Sequence, residues 1–254
     1  EGAPGHGCGH NLLGAASCAA AVALKRYLET ENIPGQIRFY GCPAEENGAG
    51  KAFMAREGAF DDLDAALCWH PWNTSDMWSN GSMAMIKVDF HFTGKALPVP
   101  ADDIRWPHLA CDAFEAATLM DTGLKYLGGH LSPGVRIHSA IELENGDPVS
   151  TTKEARLRIL LRAPSGSLAR ECYERIIRCS KGAALMSGAS VERCFVFGML
   201  DFMPNMVLTR LLGQAFNKAG PPDFDEEDMR FASRLRSTIN PGQLLETDSM
   251  FNRG

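Results

Sequence analysis

Cys8 and His10 stand two residues apart in "GHGCGHNLLG", with glycine on both sides of the cysteine. Two further groups carry compatible chemistry: the adjacent Glu45 and Glu46 in "GCPAEENG", and His70 in "CWHP". Thiolate, imidazole and carboxylate together form a donor set suited to a borderline-soft divalent ion. The flanking glycines let the backbone fold tightly enough to present two such donors close together. A helix starting just after His10 would place its positive end beside Cys8 and favour the thiolate. Adjacent glutamates point in different directions, which invites a division of labour: one binds metal while the other takes a proton from an attacking water. Each group also has a plainer reading. Glu45 and Glu46 suit a solvated turn, His70 suits packing between Trp69 and Pro71, and the Cys8 segment suits a glycine loop. A nucleophilic Cys8 with His10 as its base is a further option, but residues this close across one glycine rarely reach the required geometry.

The elements that must position these residues read as an α/β chain. Asn11 is an expected N-cap for "LLGAASCAAAVALKRYLE", apolar nearly all round and so expected inside a layered fold. A strand is expected over residues 36–41, a short helix over "GKAFMAREGAF" stopped by Gly58, and a short apolar strand in "DDLDAALCWHP". All three chemical groups then fall at strand or helix junctions, where the loops of open α/β sheets converge. From Ser82 the texture changes. "SMAMIKVDFHFTG" alternates, with Lys87, Asp89 and His91 on one side and Val88, Phe90 and Phe92 on the other. A helix from about His108 to Leu127, two strands in "GVRIHSAIEL" and "EARLRILLRA", a helix in "LARECYERIIRCSKGAALM" and a strand in "SVERCFVFG" follow. That order, βαββαβ, is the ferredoxin-like one. Residues 1–81 therefore read as the start of one α/β domain, 82–198 as an insert, and 199–254 as a return into the first. The return holds a helix near Leu208–Lys218 and another capped by Asp225, with acids in its first turn and arginines in its last.

Bulk properties narrow the function class. The 254 residues are 45% hydrophobic and 22% charged, enough apolar material for a real core. A net charge of -6 with no basic block argues against nucleic-acid and anionic-membrane partners. The longest purely apolar run, "CAAAVAL", is too short to cross a bilayer. Eight scattered cysteines without a CxxC pair fit reduced thiols and a cytoplasmic setting. The chain opens on Glu1, almost directly at the cysteine motif, and reads as a piece of something longer.

"GHGCGHNLLG", "RFYGCPAEENGAGKAFMAREGAFDDLDAALCWHP" and "KGAALMSGASVE" together resemble the dinuclear-metal amidohydrolases of the aminoacylase and carboxypeptidase metallopeptidase group. The branch holding the p-aminobenzoyl-glutamate, indole-acetyl-amino-acid and hippurate hydrolases is the most similar, and "CWHP" and "PHLACDA" lean towards its p-aminobenzoyl-glutamate side. The resemblance implies a partial metallopeptidase-type catalytic domain whose ferredoxin-like insert is a lid and dimerisation domain. It implies metal ligands at Cys8, His10, Glu46 and His70, a general base at Glu45, and two zinc or manganese ions per complete site. The implied reaction is hydrolysis of an N-acyl amino acid, a folate catabolite being the model substrate, by a homodimer or heterodimer paired through the lid. Three departures accompany it. No histidine follows His138 to match the family's further ligand. The lid's usual histidine is missing from "GKALPVPADDI", and its usual asparagine from "NGDPVSTT" near Val149. These motivate an alternative, a catalytically impaired partner subunit or truncated homologue acting through its dimerisation domain. His6, His91, His108, His130 and His138 are expected to cap, pack or face solvent.

Overall fold

The computed structural model describes residues 5–46, 50–72, 76–95, 111–143 and 152–238. The chain divides into two compact units, residues 1–73 with 80–204, and residues 74–79 with 205–254.

The first unit holds a mixed α/β arrangement around one four-stranded antiparallel sheet. Its elements are β1 (Ala84–Thr93), α3 (Ala113–Gly128), β2 (Arg136–Leu143), β3 (Glu154–Ala163), α4 (Gly166–Ser187) and β4 (Ser190–Met199), preceded by α1 (His10–Thr30) and α2 (Gly50–Arg56). The sheet order is β2-β3-β1-β4, and every neighbouring pair is antiparallel. Alternation decides the faces. Ala155, Leu157, Ile159, Leu161 and Ala163 of β3 are buried in register with Val88, Phe90 and Phe92 of β1. Met120 from α3 with Cys172 and Ile176 from α4 closes this core. The other face carries charge: Arg158 reaches Glu142 at 2.8 Å and Asp89 at 3.6 Å, so the acids between the arginines are compensated across strands. A register shift between Lys87 and Val88 kinks the β1–β4 pairing.

Caps match chemistry to position. Ser165 caps α4 through Leu168 N–H, and Gly188, at φ 75°, ends it in the left-handed conformation that glycine tolerates. Asp112 caps α3, accepting from Phe114 N–H at 2.7 Å and Glu115 N–H at 3.3 Å. Residues 96–110 and 144–151, which hold His108 and the two lid departures, lie outside the described residues.

Two expectations about pairing and packing differ from the structure. Residues 36–41 and the apolar stretch before His70 run without strand pairing, because a strand exists only where another backbone completes its ladder and no described segment does so here. Helix α1 forms but buries none of its residues. Leu12, Val22, Leu24 and Tyr27 are exposed, since among the described residues the layered packing is confined to the sheet with α3 and α4.

The second unit contains α5 (Met206–Ala219), capped by Asn205, and α6 (Glu226–Arg236). Asp225 and Asp228 form the reciprocal capping box on α6, with arginines in its last turn as expected. Among the described residues no helix is long and apolar enough to cross a membrane.

Candidate metal centre

The site begins with a turn. Gly9 N–H bonds His6 O, and Gly9 takes φ 70°, ψ 21°, the left-handed region where a side chain is costly. That turn starts α1 one residue later, so His10 is the first helical residue and Gly9, not Asn11, is the N-cap. The glycine makes no side-chain cap. It reverses the chain so that Cys8 and His10 flank the helix entrance.

The segment bearing Glu45 and Glu46 is tied down from behind. Arg38 grips Asp62 with both terminal nitrogens at 2.6 Å, and Tyr40 Oη donates to Ala59 O at 2.7 Å. The paired hydrogen bonds raise the Arg38 pKa and lower that of Asp62. Beyond this tie Ala44 adopts a positive φ of 53°. The Pro43 carbonyl lies so close to the start of α2 that no Cβ could fit at Gly50. The glutamates therefore project from a folded-back loop.

His70 is fixed from two sides. Its Nδ1 lies 2.7 Å from Pro71 O, which selects the tautomer with N–H there and leaves the Nε2 lone pair for Cys8 Sγ, 3.3 Å away. Next to it, Trp69 Nε1–H donates to Ser17 Oγ of α1 at 3.0 Å. The three chemical groups thus converge. His10 Nε2 is 3.3 Å from Glu45 Oε2, His10 Nδ1 is 3.8 Å from Glu46 Oε1, and the His10 and His70 rings meet edge to face at 5.5 Å. Cys8, His10 and His70 form one trio, and His10, Glu45 and Glu46 another, with all donor atoms of a trio within 4.8 Å.

The donor set fits a cation. His10 Nε2 is buried and finds no aligned hydrogen-bond partner among the described residues despite its nearness to Glu45. An orphaned ring nitrogen facing a carboxylate is a cost to the protein alone and a benefit to a bound ion. The thiol tells the same story. Partial burial first, then Glu46 and Glu45, push the Cys8 pKa up, opposite to the thiolate that the helix end is expected to favour. A neighbouring cation would reverse that balance.

Among the described residues the remaining histidines stay apart from this cluster's donor groups. His6 is exposed, and its carbonyl serves the turn. His91 sits half-buried on the charged sheet face, His138 is exposed on β2, and the His130 carbonyl accepts from Arg175. Two side chains escaped the sequence reading. Trp72 meets His70 at 6.1 Å between ring centroids, and Asp112 binds Thr152 N–H in addition to its cap. An aromatic next to "HP" and an acid before a helical run were the available signals.

Comparison with known proteins gives the family. The chain is 40% identical over 239 residues to a p-aminobenzoyl-glutamate hydrolase subunit of Escherichia coli (strain K12), covering 94% of this chain and 49% of that protein. It is 31% identical over 227 residues to Xaa-Arg dipeptidase of Mus musculus, covering 88% and 51%. The crystal structure of an aminobenzoyl-glutamate utilization protein from Klebsiella pneumoniae matches with TM-score 0.46 and 23% identity, covering 52% of this chain and 32% of that one. The chain thus spans about half the length of the curated relatives it matches. The model of peptidase family M20/M25/M40 matches residues 3–203, more than half of the sequence, and the chain belongs to that family.

Proposed function

We propose that this chain carries the metal-binding part of an amidohydrolase that cleaves an N-acyl amino acid of the p-aminobenzoyl-glutamate class. The observation that carries the reading is the convergence of Cys8, His10, Glu45, Glu46 and His70 around a buried His10 Nε2 that makes no aligned hydrogen bond. Cys8, His10, Glu46 and His70 are the ligands and Glu45 is the general base. A bound zinc or manganese ion, two in the complete site, would polarise the amide carbonyl and the attacking water. Glu45 takes a proton from that water as its oxygen attacks the carbonyl carbon. The carbon–nitrogen bond then breaks, and the same carboxyl returns the proton to the leaving amine. His10, next to Glu45, limits the directions in which that carboxylate can turn.

In this reading residues 1–81 and 199–254 belong to the catalytic domain, and residues 82–198 are an inserted ferredoxin-like lid. The antiparallel order β2-β3-β1-β4 with two helices between its strands supports the lid assignment. The lid is also the pairing surface, in a homodimer or a heterodimer. Two relatives named as different subunits of one Escherichia coli hydrolase support an assembly of two chains. The setting is cytoplasmic and the pathway folate-catabolite breakdown.

The test measures metal content and hydrolysis together. Cys8→Ala should lose most of the zinc or manganese held by the parent protein, and the parent should release 4-aminobenzoate from 4-aminobenzoyl-glutamate. Equal metal in parent and variant would end the reading.

A further inference from the structure

We infer that Trp72 makes the site selective for an aromatic acyl group, an inference that rests on the amidohydrolase reading above. Trp72 is the second residue after His70. Its indole stands at 66° to the His70 ring with centroids 6.1 Å apart, and 55% of the residue is exposed. Pro71, between the two rings, packs against Gly9, where an added Cβ would come within 3.0 Å of the Pro71 ring. The chain just before the indole is therefore seated on the same turn that sets Cys8 and His10. Of the tryptophans near the cluster, Trp69 turns its indole to Ser17 of α1, whereas Trp72 presents its ring to His70.

Substrate geometry makes this position matter. Hydrolysis requires the scissile carbonyl to sit against the cluster. In a benzoyl-type acyl group the ring is bonded directly to that carbonyl, so it projects rigidly from the reacting carbon. A ring lying beside His70 is on the side of the site where the indole stands, 6.1 Å from the His70 ring, and aromatic pairs attract at roughly 4.5–7 Å between centroids. Alkyl acyl groups present no π-face and gain only contact area. The indole consequently favours aryl over alkyl acyl groups without touching the reacting atoms. An aromatic pair of this kind is worth about two- to tenfold in affinity.

Carboxylate products provide the probe, because they bind without turning over. With the purified protein loaded with zinc, dissociation constants of 4-aminobenzoate and acetate are measured for the parent, Trp72→Ala and Trp72→Phe, alongside metal content. Trp72→Ala should weaken 4-aminobenzoate by about fivefold and change acetate less than twofold, with metal retained; Trp72→Phe should keep most of the aryl preference. Equal weakening of both carboxylates, no change in either, or loss of zinc from Trp72→Ala would overturn the inference. Failure of both carboxylates to bind the zinc-loaded parent would instead overturn the amidohydrolase reading, and this inference with it.

Discussion

Gly9 lies directly against Pro71. A Cβ at residue 9 would approach the Pro71 Cγ to 3.0 Å and Cβ to 3.1 Å, while φ at that position is 70°. One backbone contact thus joins the turn holding Cys8 and His10 to the segment holding His70. Gly9→Ala suffers twice, from left-handed backbone strain and from the proline ring, and the second part alone is relieved by shortening the ring in Pro71→Ala. We expect Gly9→Ala to weaken zinc binding by about tenfold, as a strain of about 1–2 kcal/mol requires. The double variant should recover part of the loss. Competitive titration against a chromophoric chelator measures both, and strictly additive losses would show that the contact does not couple the two segments.

Glu45 and Glu46 are neighbours in sequence with different exposures and different partners. Glu45 is half-buried with its carboxylate near His10 Nε2, whereas the Glu46 side chain is 70% exposed and nearer Nδ1. A base must keep its lone pair free for a proton, while a ligand contributes charge to the ion. Glu45→Gln should therefore retain metal and lower turnover by about 10²–10⁴-fold. Glu46→Gln should lose metal affinity first, with turnover restored in part by excess zinc. Metal analysis after dialysis, paired with rates at low and high zinc, separates the two roles. The opposite assignment would appear as metal loss in Glu45→Gln.

What the sequence made legible follows from how local each signal is. The β1 alternation over Val88, Phe90 and Phe92 and the Asp225 cap of α6 are complete within a few residues, and both stand in the structure where the pattern puts them. The donor types of the candidate cluster are equally local. Their convergence is not, but three groups at element junctions made it an expectation, and Cys8 Sγ reaches His70 Nε2 across 62 positions. Partnership is what the sequence hides. Residues 36–41 have strand character and no ladder among the described residues, and α1 has an apolar surface and no buried residue. The α1 start was misplaced because a left-handed glycine and an asparagine compete for one turn, and the requirement to clear Pro71 is invisible to both. The second duty of Asp112 depends on Thr152, far away in the chain, so no spacing rule reports it, whereas Trp72 signals only as an aromatic beside "HP".

Asp121 links α3 to β2 and to its own helix. Ser139 Oγ donates to Oδ1 at 2.5 Å and Lys125 Nζ contacts Oδ2 at 2.7 Å. Burial works to raise the Asp121 pKa, but the hydrogen bonds from Lys125 and Ser139 and the lysine charge outweigh it, and the net shift is downward. A carboxyl depressed in the folded state stabilises the fold fully above its unfolded pKa. That contribution is lost as pH falls through the folded value. Urea unfolding of the parent should lose stability between about pH 5 and pH 2, and Asp121→Asn should lose less over the same interval. Parallel pH profiles for the two proteins would show that the link contributes nothing.

Asp112 divides its two carboxylate oxygens between two chain segments. Oδ1 accepts from Phe114 and Glu115 N–H at the start of α3, and Oδ2 accepts from Thr152 N–H at 2.9 Å. Ala113 N–H in turn donates to Thr152 O, and Gly94 fits into the gap so tightly that a Cβ would clash with the backbones of Cys111, Ala113 and Thr152. Three segments are held at one point by a side chain that must accept on both sides. Asparagine cannot, because whichever way its amide turns, an NH₂ faces an N–H donor. Serine keeps the helix cap but is too short to reach Thr152 as well. Asp112→Asn should therefore cost about 1–3 kcal/mol, the penalty of one unsatisfied donor near the interior. Asp112→Ser should cost less, yet both should speed hydrogen exchange at Thr152. Exchange at the Leu157 and Ile159 amides should change only by the global loss of stability. Unaltered protection of Thr152 in Asp112→Asn would mean that the capping duty alone explains the residue.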